Sequence, residues 1–183
     1  MTDDELFAQY RQSNEPAVLD ELVRQNIDRI YRFVSSMVGR SVDEGREAVD
    51  DLVQDVLLNV VRNIDKFRGE SAFSTWIYRI TSNRVNRYFE QTQRVVPTIE
   101  AEQLEAVADK HRDSPETNEL KHLIDVAIEE LSPALRAAML LTTVEGFTPE
   151  EAAVVEGCTV ANIHWRVHKA RKILKEKLQK YID

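Results

Sequence analysis

Thr148-Pro149-Glu150-Glu151-Ala152-Ala153-Val154-Val155-Glu156-Gly157-Cys158-Thr159-Val160-Ala161-Asn162-Ile163-His164-Trp165-Arg166-Val167 is the stretch that decides the fold. Thr148 offers a capping hydroxyl, and Pro149 has the fixed φ of a first helical position. Glu150 and Glu151 then suit the positive end of the helix dipole. Gly157 supplies the left-handed residue that stops this helix. Thr159 is placed to cap a second helix, where Val160, Ile163, Val167, Ala170 and Leu174 recur at spacings of three and four. The opposite face carries Asn162, His164, Trp165, Arg166, Lys169, Arg171 and Lys172. Helix, tight turn and basic second helix make a helix-turn-helix shaped to enter a DNA major groove.

The rest of the chain must explain why that basic face sits in an acidic protein. Over 183 residues the formal net charge is −8, which excludes non-specific coating of nucleic acid. The charge is segregated. Asp43 to Asp55 holds six acids and one base, and Glu100 to Glu119 seven acids and two bases. Arg62 to Arg94 holds seven bases and three acids, and Asn162 to Lys180 seven bases and one acid. Two basic blocks between acidic ones predict two nucleic-acid surfaces and at least one acidic protein-docking surface. Cys158 is the single cysteine, so no internal disulfide can form, which fits a reducing compartment. No apolar run is long enough to span a membrane, and Met1-Thr2-Asp3-Asp4-Glu5 lacks the order of a signal peptide. A cytoplasmic location without membrane insertion is the expectation.

Gly and Pro are scarce, at five each, and period-two alternation is nearly absent, so an all-α fold is expected. The first helix should run over 3–12, with Leu6, Phe7 and Tyr10 on one face. The second should run from 15 or 16 to 38, with Leu19, Leu22, Val23, Ile27, Ile30, Tyr31 and Val34, and end at Gly39. The third is expected over 44–64, burying Val49, Leu52, Val53, Val56, Leu57, Val60 and Val61. The fourth is expected from 71–74 to 91, burying Phe73, Ile77, Ile80 and Tyr88. From Val95 onward Pro97, Pro115 and acids read as a linker, with a helical turn near 100–108. Helices are then expected over 118–130 and 133–145. Ser132-Pro133 repeats the cap-plus-first-position signal of Thr148-Pro149. Two small helical domains over 1–94 and 116–183, joined by an acidic linker at 95–115, are the predicted organisation.

The earlier basic block, Lys66-Phe67-Arg68-Gly69-Glu70-Ser71-Ala72-Phe73-Ser74-Thr75-Trp76-Ile77-Tyr78-Arg79-Ile80-Thr81-Ser82-Asn83-Arg84-Val85-Asn86-Arg87, mixes bases, aromatics and amides. Arg79, Asn83 and Arg87 share one helical face, with Arg84 and Asn86 nearby. Cations that track phosphates beside rings that accept unstacked bases suit single-stranded nucleic acid. Phe73 and Tyr88 read better as core. Trp76 fits core and surface equally.

The two blocks together resemble one family. Asp50-Asp51-Leu52-Val53-Gln54-Asp55-Val56-Leu57, the run Phe67-Arg68-Gly69-Glu70-Ser71-Ala72-Phe73-Ser74-Thr75-Trp76, Leu131-Ser132-Pro133, Glu150-Glu151-Ala152-Ala153 and residues 157–171 look like an extracytoplasmic-function (ECF) sigma factor, group 4 of the bacterial sigma-70 family. The resemblance covers nearly the whole chain in order. It implies a region 2-like domain, a linker and a region 4-like domain. It also implies a subunit that binds core RNA polymerase, melts specific promoters and starts transcription without being an enzyme. Asp50, Asp51, Gln54, Asp55 and Leu58 are then expected on the β′ coiled coil. The melted minus-ten element is expected on Lys66, Phe67, Arg68, Ser71, Phe73, Thr75, Trp76, Arg79, Asn83, Arg84, Asn86 and Arg87, with a base flipped into the loop. The minus-thirty-five duplex is expected on Thr159, Asn162, His164, Trp165, Arg166, His168, Lys169, Arg171 and Lys172. The implied partners are the β′ coiled coil, the β flap, promoter DNA and an anti-sigma factor. Two residues depart from the family pattern. Glu156 stands where an apolar residue usually packs before the turn glycine, and Trp165 stands where a small polar residue is common.

Other chemistries fare worse. His164 and His168 have the four-residue spacing of a metal pair, but no glutamate or cysteine completes a ligand set, and no metal or cofactor is expected. Cys158 occupies a turn position that needs a small apolar filler. Asp50-Asp51 reads as a docking face before it reads as an acid–base pair. A helix-turn-helix regulator acting outside the polymerase is the alternative function, and the arginine block at 66–87 argues against it.

Overall fold

A computed structural model describes residues 1–39, 42–95 and 123–179, and every regular element among them is helical. The elements are α1 (Asp3–Ser13), α2 (Pro16–Val38), α3 (Val42–Asn63), a 3₁₀ turn (Ile64–Lys66), α4 (Phe73–Val95), α5 (residues 123–129), α6 (Pro133–Thr143), α7 (Pro149–Glu156) and α8 (Val160–Gln179). The expected helices are all present. The expected linker and its helical turn at 100–108 lie outside the described residues, as does the start of the helix expected at 118–130.

Local chemistry sets most boundaries. Thr2 and Glu5 form a reciprocal capping box at the start of α1, and Thr148 and Glu151 form another at α7. Gly157 ends α7 at φ 61°, and Thr159 Oγ1 accepts the Asn162 N–H at 3.2 Å to open α8. Ser132 differs from expectation. Its side chain caps nothing, and its carbonyl accepts the Leu135 and Arg136 N–H groups instead. The start of α4 is capped across the fold, where Asp4 accepts the Phe73 N–H at 2.8 Å. That carboxylate also meets the positive end of the α4 dipole.

Helices α1 to α4 bury one another around Leu22, Ile30, Phe33, Val34, Met37, Val56, Phe73 and Ile77. This core does not end with α4. It continues through Leu141, Phe147 and Val155 to Ile163 on α8, because α4 packs against α7 and α2 against α6. A smaller core of Ala127, Leu131, Leu135, Ala170 and Leu174 ties α5 and α6 to α8.

Two buried polar residues mark the joint between the halves. Arg136 caps carbonyls from both. It donates to Met37 at the end of α2, to Ile128 (3.1 Å) and Leu131 (3.2 Å), and to Glu129. Burial pushes its pKa down, partly opposed by the Glu129 carboxylate. Tyr78 lies between Phe33 and Phe147, with ring centroids at 5.2 and 4.8 Å, and its hydroxyl donates to Glu145. Burial, then the Glu145 hydrogen bond and charge, push that phenol far above its ordinary pKa.

Candidate nucleic-acid interface

The first surface forms around the loop between the 3₁₀ turn and α4. Phe67 and Phe73 are buried and meet Phe7 from α1, with centroids at 4.7 and 5.6 Å. Trp76 stacks on Phe67 at 5.0 Å and is half-buried, so it belongs to the rim of this cluster. The rings form a floor beneath residues 68–72, and Gly69, at φ 74°, turns the loop. Lys66 and Arg68 stay exposed above that floor. Lys66 donates to Asn63 at 2.8 Å, and Arg68 lies 3.7 Å from Glu70. Ser71 is half-buried, with its hydroxyl turned to the Ala72 carbonyl.

Helix α4 then divides its residues between three faces. Arg79, Asn83 and Arg87 are exposed on one face, as their spacing predicts, and neither arginine makes an ion pair with a described residue. Arg84 is turned aside. Its Nε donates to Asp55 on α3 at 2.9 Å, and Nη2 binds the same oxygen. Asn86 donates to Ser82 at 3.4 Å and leans toward α7. Three residues expected at the strand contact lie inside the fold instead. Phe67, Phe73 and Thr75 are at most 6% exposed, so they support the surface from inside.

The second surface lies on α3. Asp50, Asp51, Gln54 and Leu58 are exposed, while Asp55 is half-exposed because Arg84 holds it. The apolar stripe of α3 is not fully buried, contrary to expectation. Leu58 and Val61 are 44% and 47% exposed. With Tyr31, Val53 and Leu57 they line an open groove of about 350 Å³, bordered by Asp50 and Gln54. Tyr31, Val53, Leu57 and Val61 were missing from the expected docking set because their spacing reads equally well as core.

The third surface is the outer face of α8. Thr159, His164, Trp165, His168, Lys169, Arg171 and Lys172 are exposed, and Asn162 is half-buried. Trp165 is 56% exposed, and the Lys169 ammonium sits 4.9 Å from its ring centroid. The tryptophan therefore faces solvent and does not pack on α7. His164, His168 and Arg171 line a polar groove of about 320 Å³ with Thr142 and the Pro149 end of α7. Among the described residues no His, Cys, Asp and Glu group could hold a metal.

Arg166 behaves differently. Its side chain is only 17% exposed, and Nη1 reaches Glu156 at 3.1 Å. Glu156 is 3% exposed at the side chain and also accepts from Ser82 on α4 at 2.5 Å. Burial raises its pKa, with Ser82 and Arg166 pulling the other way. Arg166 is thus held toward the protein in this arrangement, not toward a base edge. Cys158 is half-buried in the turn, and burial raises its thiol pKa.

Comparison with known proteins matches this architecture. Residues 22–95 match Sigma-70 region 2, and residues 121–174 match Sigma-70, region 4. The ECF RNA polymerase sigma-E factor of Escherichia coli (strain K12) is 36% identical over 164 residues, covering 84% of this chain and 85% of that protein. The sigma-E factor of Haemophilus influenzae (strain ATCC 51907 / DSM 11121 / KW20 / Rd) is 31% identical over 163 residues, with the same coverage. Among solved structures, the sigma factor RpoE in complex with the anti-sigma factor NepR from Bartonella quintana has a TM-score of 0.70 at 25% identity, covering 88% of this chain and 96% of that one. CnrH in complex with the cytosolic domain of CnrY shares the fold, with a TM-score of 0.68 over 97% of both chains at 23% identity. The chain belongs to the extracytoplasmic-function sigma factors of the sigma-70 family, and is an alternative sigma factor that directs transcription initiation.

Proposed function

We propose that α3 docks this sigma factor on the β′ coiled coil of core polymerase through Asp50, Asp51, Gln54 and Leu58. The open apolar groove of Tyr31, Val53, Leu57, Leu58 and Val61, edged by Asp50 and Gln54, carries this reading. An apolar floor with acidic edges suits a helical partner with apolar and basic side chains. Asp55 contributes indirectly, by holding Arg84.

Single-stranded minus-ten DNA runs over Lys66, Arg68, Ser71 and Trp76, and then along Arg79, Asn83 and Arg87. Their shared exposure beside a fixed aromatic floor supports the assignment. The minus-thirty-five duplex is met by α8. Arg171, Lys172 and His168 lie against phosphates, while Asn162, His164, Trp165 and Lys169 reach base edges. The functional division falls at 1–94 and 116–183, with 95–115 as linker. The C-terminal half meets the β flap, supported by the exposed apolar residues Ile124, Val126 and Val144. An anti-sigma factor is a further partner, a reading supported by the likeness to RpoE in its complex with the anti-sigma factor NepR.

The test is binding to core polymerase, measured with Leu58→Glu and Val61→Glu variants. The reading requires a loss of at least about tenfold with helicity unchanged. Unchanged affinity would remove the α3 assignment.

A further inference from the structure

His164, Lys169, Arg171 and Lys172 are exposed along α8, and Arg166 between them is not. On a regular helix Arg166 lies about 40° from Asn162 and about 60° from Lys169, both assigned to base edges, and about 60° from the buried Ile163. It stands at the border between the reading face and the packed face, so its partner decides its direction. That partner is Glu156, the last residue of α7. Arg166 Nη1 donates to one carboxylate oxygen at 3.1 Å, and the two side chains are 17% and 3% exposed. A carboxylate buried without its cation is costly, so Glu156 retains the guanidinium. Ser82 fills the other oxygen from α4. Glu156 and Arg166 both lie within the region 4 match at 121–174, so their pair is internal to the helix-turn-helix.

The pair removes a particular kind of reader. A guanidinium is a planar fork that matches O6 and N7 of guanine, the commonest specific contact in the major groove. The side chains left on the reading face are an amide, an imidazole, an indole and an ammonium. Asn162 suits adenine, and Trp165 suits a thymine methyl group. Lys169, the other cation beside Arg166, holds its ammonium 4.9 Å from the Trp165 ring centroid. With Arg166 turned inward, the Asn162 side of α8 presents no guanidinium to a base.

We propose that Glu156 sets promoter specificity from behind the reading helix, by retaining Arg166 and so withholding guanine recognition next to the base met by Asn162. The inference rests on the reading of α8 as the helix that meets the minus-thirty-five duplex. Glu156 touches no DNA and is a positioning residue, acting only through Arg166. The departure from the family pattern at position 156 acquires a consequence. An apolar residue there accepts nothing from Arg166, and the guanidinium is then free to turn outward beside Asn162.

The test uses the full chain assembled with bacterial core polymerase, transcribing a promoter library randomised in the upstream element. Wild type and Arg166→Ala should show the same base preference at every position. Glu156→Leu should gain a preference for guanine of about tenfold at one position, the effect of one bidentate contact. Adding Arg166→Ala to Glu156→Leu should abolish that gain. Glu156→Gln keeps an acceptor for Arg166 and should keep the wild-type preference. Loss of a base preference in Arg166→Ala alone would overturn the proposal, even where Glu156→Leu fails to fold. So would a folded Glu156→Leu variant with unchanged preference, or one that raises transcription equally from every sequence, as a new phosphate contact does. A wild type indifferent to the whole upstream element would instead remove the α8 reading, and the proposal with it.

Discussion

Arg84 on α4 donates through Nε to Asp55 on α3 at 2.9 Å, joining the helix assigned to strand capture with the helix assigned to polymerase docking. Both residues look like independent surface contacts when the chain is read linearly. In the fold they neutralise each other, and Arg79 and Arg87 remain as the free cations of the α4 face. Because the pair is partly exposed, its contribution to stability is small, about 0.5 to 1 kcal/mol.

The alanine variants of α4 should therefore fall into two classes. Arg79→Ala and Arg87→Ala should leave the melting temperature unchanged, and each should lower the salt slope of single-strand binding by about 0.7. Arg84→Ala should instead lower stability by up to about 1 kcal/mol and change the salt slope least. Titrations of a fluorescent single strand against salt, with thermal melts, separate the two. Equal slopes for all three variants would contradict the division.

Phe73 and Asp4 should behave as parts of one structure. Phe73 is fully buried, and its N–H is capped by Asp4. Phe73→Ala should cost about 4 kcal/mol, a large share of the stability of a domain this size. Asp4→Ala should cost about 1 kcal/mol and loosen the start of α4. Chemical denaturation gives both values, and hydrogen exchange at 73–76 reports the loosening. A mild Phe73→Ala would place that ring at the surface after all.

These cases mark what the linear sequence could reveal. The boundaries of α7 and the opening of α8 were legible because capping and left-handed glycine act over three or four residues, at Thr148, Gly157 and Thr159. The exposed trio Arg79, Asn83 and Arg87 was legible from helical spacing. Burial of Phe67 was not, because its cover is Phe7, brought from α1 by the fold. The open groove at Leu58 and Val61 was hidden for a related reason. An apolar stripe reads the same whether another helix covers it or a partner does. The joint between the halves was illegible because Ser82 and Glu156 are polar residues on faces that periodicity marks only weakly.

Stability should depend on pH with a definite sign. Burial raises the Glu156 pKa in the folded chain above the ordinary carboxylate value, with Ser82 and Arg166 pulling the other way. Between the ordinary carboxylate range and that raised value, the folded chain binds more protons than the unfolded one. The contribution of Glu156 to stability is therefore greatest below this window and is lost as pH rises through it. Thermal melts across the window should show that trend in the wild type, and Glu156→Gln should flatten it. The opposite slope would contradict the burial of this carboxylate.

Trp165 and Lys169 should act as a pair on duplex DNA. The ammonium sits over an exposed ring, so both side chains present one apolar and cationic patch. Trp165→Ala should weaken upstream-element binding by about 1 to 3 kcal/mol, and by less on a duplex with uracil in place of thymine, which lacks the methyl group. Lys172→Ala should weaken binding equally on both duplexes and reduce the salt slope by about 0.9. Fluorescence anisotropy on paired thymine and uracil duplexes distinguishes the roles. Equal loss for Trp165→Ala on both would remove the methyl contact.

The most direct test combines the purified chain with bacterial core polymerase and fragmented genomic DNA, and then sequences the run-off transcripts. Discrete start sites that share two upstream elements are the expected result. They should be lost when Arg79 and Arg87 become alanine, although polymerase binding persists. Start sites that survive both substitutions, or no binding to core polymerase at all, would contradict it.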